Sequence, residues 1–232
     1  MLRAFTFGQC VFETPVARIA PDSGVHFALL LYIASGAPDG VSRDDVVRLL
    51  WPQTCIEGGR HCLRQAMYRL RQFSVPVHLR AGYIVLEGDL GACDVRALLH
   101  GAPTRDEVIR LGALPFLPSY APSLGEAYAH WVEEIRARLA TRLRRVLADE
   151  VALARSCGRF YDMGRTARAL LALDPLNEVA TMGLAEALAL EGSKVEAIRL
   201  LEEYEEEVGA INVHLQIPVR VLRRRVSESL DD

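Results

Sequence analysis

The chain contains 232 residues, half of them hydrophobic and a quarter charged, which is the composition of a globular protein with one or two domains. Its formal net charge of −3 excludes a protein that attracts nucleic acid through overall positive charge. Residues 1–95 contain nine arginines and nine acidic residues, so the net charge of −3 belongs to residues 96–232. Any basic surface must therefore be local.

The N-terminal part of the chain predicts short strands followed by helices. Apolar and small polar residues alternate at residues 2–12 and 16–20, which predicts a strand in each stretch. The apolar residues 26–35 predict a buried helix. A second helix is expected to begin after Ser42, a good N-cap residue, and to end at Pro52.

A third helix is predicted at residues 58–73, after a loop that ends in two glycines. At about 100° per residue, one side of this helix gathers its apolar residues, Leu63, Ala66, Met67, Leu70 and Phe73. The opposite side and its flanks carry side chains that suit DNA, namely Arg60, His61, Arg64, Gln65, Tyr68, Arg69 and Gln72. Arg pairs bidentately with guanine and Gln with adenine. On this stretch alone, a solvated amphipathic helix is the simpler interpretation.

A β-hairpin is predicted after the third helix, with strands at residues 77–80 and 83–86. Arg80 would lie near its tip, beside the turn at Ala81 and Gly82. Strands, three helices and a hairpin together describe a winged helix-turn-helix, in which the third helix enters the major groove and the hairpin reaches the backbone. Because the basic residues fall where this fold needs them, the sequence favours DNA binding over a solvated helix.

Two stretches of this region resemble the DNA-binding half of SARP regulators, bacterial transcription activators with an OmpR-type winged helix. The stretches are VSRDDVVRLLWP at residues 41–52 and GGRHCLRQAMYRLRQ at residues 58–72. The residues that match the family pattern are Arg60, Leu63, Arg64, Gln65, Ala66, Arg69, Leu70 and Arg71. Gly59, Cys62 and Tyr68 replace the usual Ala, Asn and Ser, so the family's target sequence is not carried over to this chain.

The second half of the chain is predicted to be helical from Gly125 almost to its end. Gly158 and Gly192 lie 34 residues apart, which is the period of a tetratricopeptide repeat (TPR). This half resembles the bacterial transcriptional activation domain that follows the winged helix in SARP proteins. The matching residues are Trp131, Arg136, Leu139, the LDPLNE stretch at residues 173–178, Gly192 and Tyr204. Trp131 and Tyr204 are expected to lie in the core of this half, because aromatic residues at helical spacing usually pack.

The sequence therefore predicts a mainly α protein with a small β component. A winged helix-turn-helix at residues 1–90 is expected to bind double-stranded promoter DNA, followed by an all-helical, TPR-like domain at residues 91–232. The resemblance implies that the protein recruits RNA polymerase, and the helical domain is expected to contact the transcription machinery or a second copy of the chain as a homodimer. The alternative is a helical adaptor protein whose winged helix binds protein instead of DNA.

The sequence predicts neither an enzyme nor a membrane protein. It lacks the GxSxG, Walker and HExxH motifs, and Cys55, His61 and Cys62 lack a fourth ligand for zinc, so no cofactor or metal is expected. Residues 1–9 lack the apolar core of a signal peptide, and the longest apolar run, residues 27–34, is too short to cross a bilayer. We therefore expect a cytoplasmic protein.

Overall fold

The computed structural model describes residues 1–88, 93–209 and 217–228. Its strands are β1 (Arg3–Phe5), β2 (Val11–Glu13), β3 (Arg18–Ile19), β4 (Val41–Ser42), β5 (Val77–Arg80) and β6 (Tyr83–Leu86). Its helices are α1 (Val25–Ser35), α2 (Arg43–Leu50), α3 (Ile56–Gln72), α4 (Asp94–His100), α5 (Arg105–Gly112), α6 (Glu126–Ser156), α7 (Phe160–Leu173), α8 (Glu178–Leu190), α9 (Lys194–Gly209) and α10 (Ile217–Glu228). The predicted fold class, mainly α with a small β component, is confirmed.

The chain divides into two compact units, and each consists of two segments. The first unit contains Met1–Pro103 and Leu114–Leu139, and the second contains Thr104–Ala113 and Ala140–Asp232. The predicted boundary between residues 90 and 91 lies outside the described residues. A functional division at that point stays a prediction.

The first unit contains the predicted order of strands, three helices and a hairpin. The hairpin pairs Arg80 with Tyr83 through a two-residue turn in which Ala81 and Gly82 have φ angles of 48° and 87°. Strand β4, which was not predicted, pairs with β6 and completes a three-stranded wing sheet of order β4-β6-β5. Ser42 caps α2 as predicted, since its Oγ accepts from the backbone N–H of Asp45 at 3.4 Å.

The single strand predicted at residues 2–12 is wrong, because the chain reverses within it. Gly8 adopts a φ of +73°, which side-chain-bearing residues rarely adopt, and its N–H donates to the carbonyl of Pro115 at 2.8 Å. The residues on either side of this turn form β1 and β2, which pair antiparallel, and β3 pairs with the other edge of β2.

Helix α1 is the centre of the first unit. Eight of its eleven residues are buried, in agreement with the predicted buried helix. The ring of Phe27 lies 5.6 Å from Phe12 of β2 and 5.1 Å from Tyr120, with both pairs edge-to-face. Residues from the N-terminal sheet and from the segment before α6 therefore complete the core of the winged helix.

A second contact joins the N-terminal sheet to α4 through the half-buried carboxylate of Asp94. One oxygen accepts from the backbone N–H groups of Thr6 at 2.6 Å and Phe7 at 3.0 Å. The other accepts from the Thr6 hydroxyl at 2.6 Å and from the N–H of Val95 at 2.7 Å. Burial raises the pKa of the Asp94 carboxyl above its ordinary value, and these four donors oppose the shift.

Residues 114–120 form a strap that crosses the N-terminal sheet. Leu117 is buried, and its N–H donates to the carbonyl of Thr6 at 2.8 Å. The guanidinium of Arg136 in α6 donates to the carbonyls of Leu117 and Tyr120 at 3.1 and 2.8 Å. Arg136, singled out in the sequence only by resemblance, therefore bonds α6 to two strap carbonyls, of which that of Leu117 also accepts from the N–H of Tyr120 at 3.2 Å.

The prediction that Trp131 lies in the core of the helical half is wrong in two respects. Trp131 belongs to the first unit, where its ring lies 5.0 Å from Tyr32 of α1 and 5.4 Å from Tyr128. It is also half-buried, whereas Tyr128 is fully buried. Helical spacing identified the packing face of α6, but it could not show that the N-terminal part of α6 packs against the winged helix.

The second unit consists of helical hairpins, and the predicted glycine period marks their ends. Gly158 and Gly192 adopt φ angles of +66° and +91° directly after α6 and α8. Each ends its helix, because a left-handed residue turns the chain while its N–H still reaches a carbonyl of the last turn. Asn177 caps α8 by accepting from the N–H of Ala180 at 3.1 Å. Tyr204 is buried at 6% exposure, as predicted.

We predict that Asp94→Asn lowers the free energy of unfolding of the first unit by about 1–3 kcal/mol, the cost of leaving a buried donor unsatisfied. An amide has one acceptor oxygen, so its NH₂ group must face a backbone N–H. Urea denaturation followed by the fluorescence of Trp51 and Trp131, both in the first unit, measures this change. The exposed Asp39→Asn serves as the matched control, and equal stability of the two variants would contradict the assignment.

Candidate nucleic-acid interface

Helix α3 begins two residues earlier than predicted, and the two glycines lie inside it. Cys55 is its N-cap, and its Sγ accepts from the N–H of Gly58 at 3.4 Å. Gly59 faces α2: a Cβ at this position would lie 2.3 Å from the Cγ1 of Val47. The expectation that the two glycines end the loop before the helix is therefore wrong. Gly59 instead allows α2 and α3 to approach closely.

The predicted apolar face of α3 is the face that packs. Leu63, Ala66, Met67 and Leu70 are all exposed by 4% or less. Phe73, the fifth member of the predicted face, is half-buried and lies 4.9 Å below the guanidinium carbon of Arg69. Tyr68, on the opposite side, is 62% exposed. The helix is thus seated on the core by one side and presents the other.

Six of the eight predicted DNA-binding residues line one concave surface, which encloses a volume of about 870 Å³. They are His61, Arg64, Gln65, Tyr68, Arg69 and Gln72. Val25 and His26 at the start of α1, with Trp51 at the end of α2, also line this surface. Sequence reasoning missed these three, because only the fold brings the ends of α1 and α2 beside α3.

Within this concave surface, two pairs of side chains bond to each other. The amide nitrogen of Gln65 lies 2.9 Å from Nε2 of His61, and Nη1 of Arg69 donates to Oε1 of Gln72 at 2.9 Å. The side chains of Arg64 and Tyr68 are exposed and make no hydrogen bond or ion pair with any residue that the structure describes. Their polar groups are therefore directly available to a ligand.

Arg60, the seventh predicted residue, is held by the protein itself. Its Nε and Nη2 donate to Oδ1 of Asp44 in α2 at 3.1 and 3.0 Å, and Nη2 also lies 3.0 Å from Oδ2. These hydrogen bonds hold the pKa of the Asp44 carboxyl below its ordinary value, and Arg43 adds to the effect. A contact between Arg60 and DNA stays a prediction, one that requires the guanidinium to leave or share Asp44.

Arg80, the eighth, lies beside the wing turn as predicted, but it is paired. Its Nη2 lies 2.6 Å from Oε1 of Glu87, and Nε2 of His78 lies 3.7 Å from the other oxygen of the same carboxylate. The side chain of Arg80 is 71% exposed and that of Glu87 is 34% exposed, so the carboxylate half of the pair is partly removed from solvent. Glu87 is therefore a counter-ion for the wing, and the sequence of the hairpin strands alone did not predict it.

Two further properties bear on the class of site. No group of three or more His, Cys, Asp or Glu side chains that could hold a metal ion occurs within residues 1–88, 93–209 and 217–228. No helix in the same ranges combines the length and apolar character needed to span a membrane.

Comparison with known proteins bears on both halves of the chain. Residues 120–209 match the family model of the bacterial transcriptional activator domain. The fold is similar to that of Mycobacterium tuberculosis EmbR, solved in complex with a low-affinity phosphopeptide, with a TM-score of 0.62 and 16% sequence identity. The similarity covers 98% of this chain and 65% of EmbR, so the chain spans about two-thirds of the length of that protein. No curated protein matches the sequence.

The structural similarity shows the fold, and the family match identifies residues 120–209 as the activator-domain region. Together these findings confirm the predicted fold, a winged helix followed by a helical domain, and the predicted resemblance of the helical half to a bacterial transcriptional activator domain.

We predict that Gly59→Ala lowers the free energy of unfolding of the first unit by about 1–3 kcal/mol, because the added methyl group overpacks the contact with Val47. Gly58→Ala is the matched control, since a Cβ there meets only ordinary contacts at 3.4 Å or more. Its stability should be unchanged or raised by up to about 1 kcal/mol through helix propensity. Urea denaturation followed by tryptophan fluorescence compares the two, and a Gly59→Ala variant as stable as Gly58→Ala would contradict the close approach.

Proposed function

We propose that the chain is a SARP-type transcriptional regulator, that it binds double-stranded promoter DNA through the exposed face of α3 and through the wing, and that it activates transcription by recruiting RNA polymerase. The observation that carries the DNA-binding part is the concave surface itself. It joins Arg, Gln and Tyr side chains on the solvent side of a helix whose other side is buried. This is the arrangement with which winged helices enter the major groove.

Arg64, Gln65 and Tyr68 are the residues that we assign to base contacts. Helix α3 has 17 residues and is therefore about 25 Å long, enough to cross the major groove. Arg64 has no partner to give up among the described residues, so it can present its guanidinium to guanine O6 and N7. Gln65 must exchange its contact with His61 for an adenine edge.

The remaining cations of the interface are assigned to the phosphate backbone. Arg69 lies at the C-terminal end of the same face, where it gives up an exposed bond to Gln72 and its contact with the ring of Phe73. Arg80 would reach the backbone from the wing after releasing Glu87. Contacts of this kind set affinity and register without reading sequence.

The helical half is the part that we assign to RNA polymerase. Residues 96–232 carry a net charge of −3, which opposes rather than attracts phosphate. The family match to a bacterial transcriptional activator domain supports a role in activation for residues 120–209. The proposal includes a cytoplasmic location, and a homodimer stays a prediction that sedimentation velocity of the full chain can test.

The alternative function is a helical adaptor whose winged helix binds protein. It is supported by the neutral first half of the sequence and by the pairing of Arg80 with Glu87. Selection of duplexes from a random DNA pool by the full chain separates the two functions. Enrichment of one sequence, with retention of RNA polymerase by the DNA-bound protein, supports the activator. No enrichment, with retention of another protein, supports the adaptor.

We predict that Arg64→Ala and Gln65→Ala each weaken binding to the selected duplex by about 1–3 kcal/mol, because each removes one base contact. Arg18→Ala removes the same charge from an exposed site in β3 and should leave the preference for the selected duplex unchanged. Fluorescence anisotropy at one salt concentration compares the three variants. Binding at wild-type strength by either α3 variant would remove that residue from base readout.

We predict that Arg80→Ala weakens binding to all sequences about equally and reduces the logarithmic salt slope by about one phosphate equivalent, because it removes one phosphate contact. Glu87→Gln should strengthen binding to all duplexes, because Arg80 then reaches phosphate without giving up a carboxylate. Glu13→Gln, which removes a carboxylate paired with Arg18 in the N-terminal sheet, is the charge-matched control. A salt slope that is the same in Arg80→Ala as in the wild-type chain would show that the wing does not reach the backbone.

A further inference from the structure

The first turn of α2 contacts both elements that we assign to DNA binding. On its backbone side, Ser42 pairs with Tyr83 of the wing, and the N–H of Arg43 donates to the carbonyl of Gly82 in the wing turn at 2.9 Å. On its side-chain side, Asp44 bonds to Arg60 of α3. Three consecutive residues therefore connect the wing and the recognition helix.

The contact between Asp44 and Arg60 is directional. Two guanidinium nitrogens of Arg60 reach the carboxylate, and both carboxylate oxygens accept, at distances of 3.0–3.1 Å. The side chains are 34% and 45% exposed, so the pair is partly removed from solvent. A planar guanidinium that bonds through two nitrogens fixes orientation as well as distance, which a lysine ammonium does not.

A second contact between α2 and α3 involves Gly59, the residue next to Arg60. Gly59 lets α3 pack directly on Val47, so α3 cannot move closer to α2. Asp44 and Arg60 oppose movement in the other direction. The two contacts together restrict the position of α3 relative to α2, and therefore relative to the wing to which α2 bonds.

We propose that Asp44 is a positioning residue, which acts through Arg60 to set the orientation of the recognition helix relative to the wing. In this role Arg60 acts within the protein and not on DNA phosphate. The inference rests on the proposed DNA-binding function and names residues that determine its sequence specificity. Without the pair, α3 and the wing no longer reach their sites on one duplex in register.

The opposite role for Arg60 predicts the opposite sign. If Arg60 were a phosphate contact restrained by Asp44, Asp44→Asn would release a cation and strengthen binding to every sequence. If Asp44 positions α3, the same substitution lowers binding to the selected duplex relative to a scrambled one. The ratio of the two affinities therefore distinguishes positioning from charge.

The test uses the full chain, the selected duplex and a scrambled duplex of equal length and composition. Asp44→Asn and Arg60→Lys should each lower the ratio of affinities about tenfold, the effect of losing roughly one base contact. Asp44→Glu should retain most of the wild-type ratio of affinities, because it keeps a carboxylate that can bond to Arg60. Asp45→Asn is the matched control: it removes the same charge from the same turn, but Asp45 pairs with Arg48 on α2 itself and should leave the ratio unchanged.

In the double variant Asp44→Asn with Arg60→Lys, the ratio of affinities should fall no further than in either single variant, because both substitutions remove the same contact between α2 and α3. An unchanged ratio in Asp44→Asn, or stronger binding to both duplexes, would overturn the inference while leaving the proposed function intact. A wild-type chain that does not distinguish the duplexes would overturn both. Thermal melts identify a variant that fails to fold, in which case Arg60→Lys decides the outcome.

Discussion

Helix α1 must be covered on every side, and the architecture of the first unit follows from this requirement. Eight of its eleven residues are buried, including a run of five from Phe27 to Leu31. Helices α2 and α3 cover one part of this surface, as in any winged helix. Phe12 of the N-terminal sheet, Tyr120 before α6 and Trp131 of α6 cover or flank the rest. Residues far apart in sequence are thus recruited because burial of apolar surface dominates the free energy of folding.

The exposed face of α3 is a consequence of the same core. Because Leu63, Met67 and Leu70 are buried in this core, the residues on the other side of the helix face solvent. Gly59 and the pair of Asp44 with Arg60 then fix the remaining freedom of the helix against α2. Packing on the buried side of α3 therefore fixes the position of its polar face. A fixed position is required if a few side chains are to recognise bases.

The sequence predicts well what depends on local periodicity and poorly what depends on contacts between distant residues. The period of 3.6 residues located the packing face of α3, and its complement contains six of the predicted residues. The same reasoning assigned Arg60 to DNA, although its guanidinium is bonded to Asp44, sixteen residues away. It also assigned Trp131 to the wrong unit, since periodicity shows that a face packs but not against what. The early start of α3 was missed because Cys is not among the usual N-cap residues and because glycine pairs normally indicate a break in a helix.

Photo-crosslinking from position 68 tests most directly whether the exposed face of α3 binds DNA. Tyr68 is 62% exposed and lies on the concave surface, so a photoreactive phenylalanine in its place keeps a ring there. The account predicts that the full chain crosslinks to bases of a selected duplex, and that unlabelled selected duplex competes while scrambled duplex does not. The same probe at Val16, which is 66% exposed in the N-terminal region, should give no crosslink with this competition pattern. Crosslinks from position 68 to a protein but not to DNA would contradict the account.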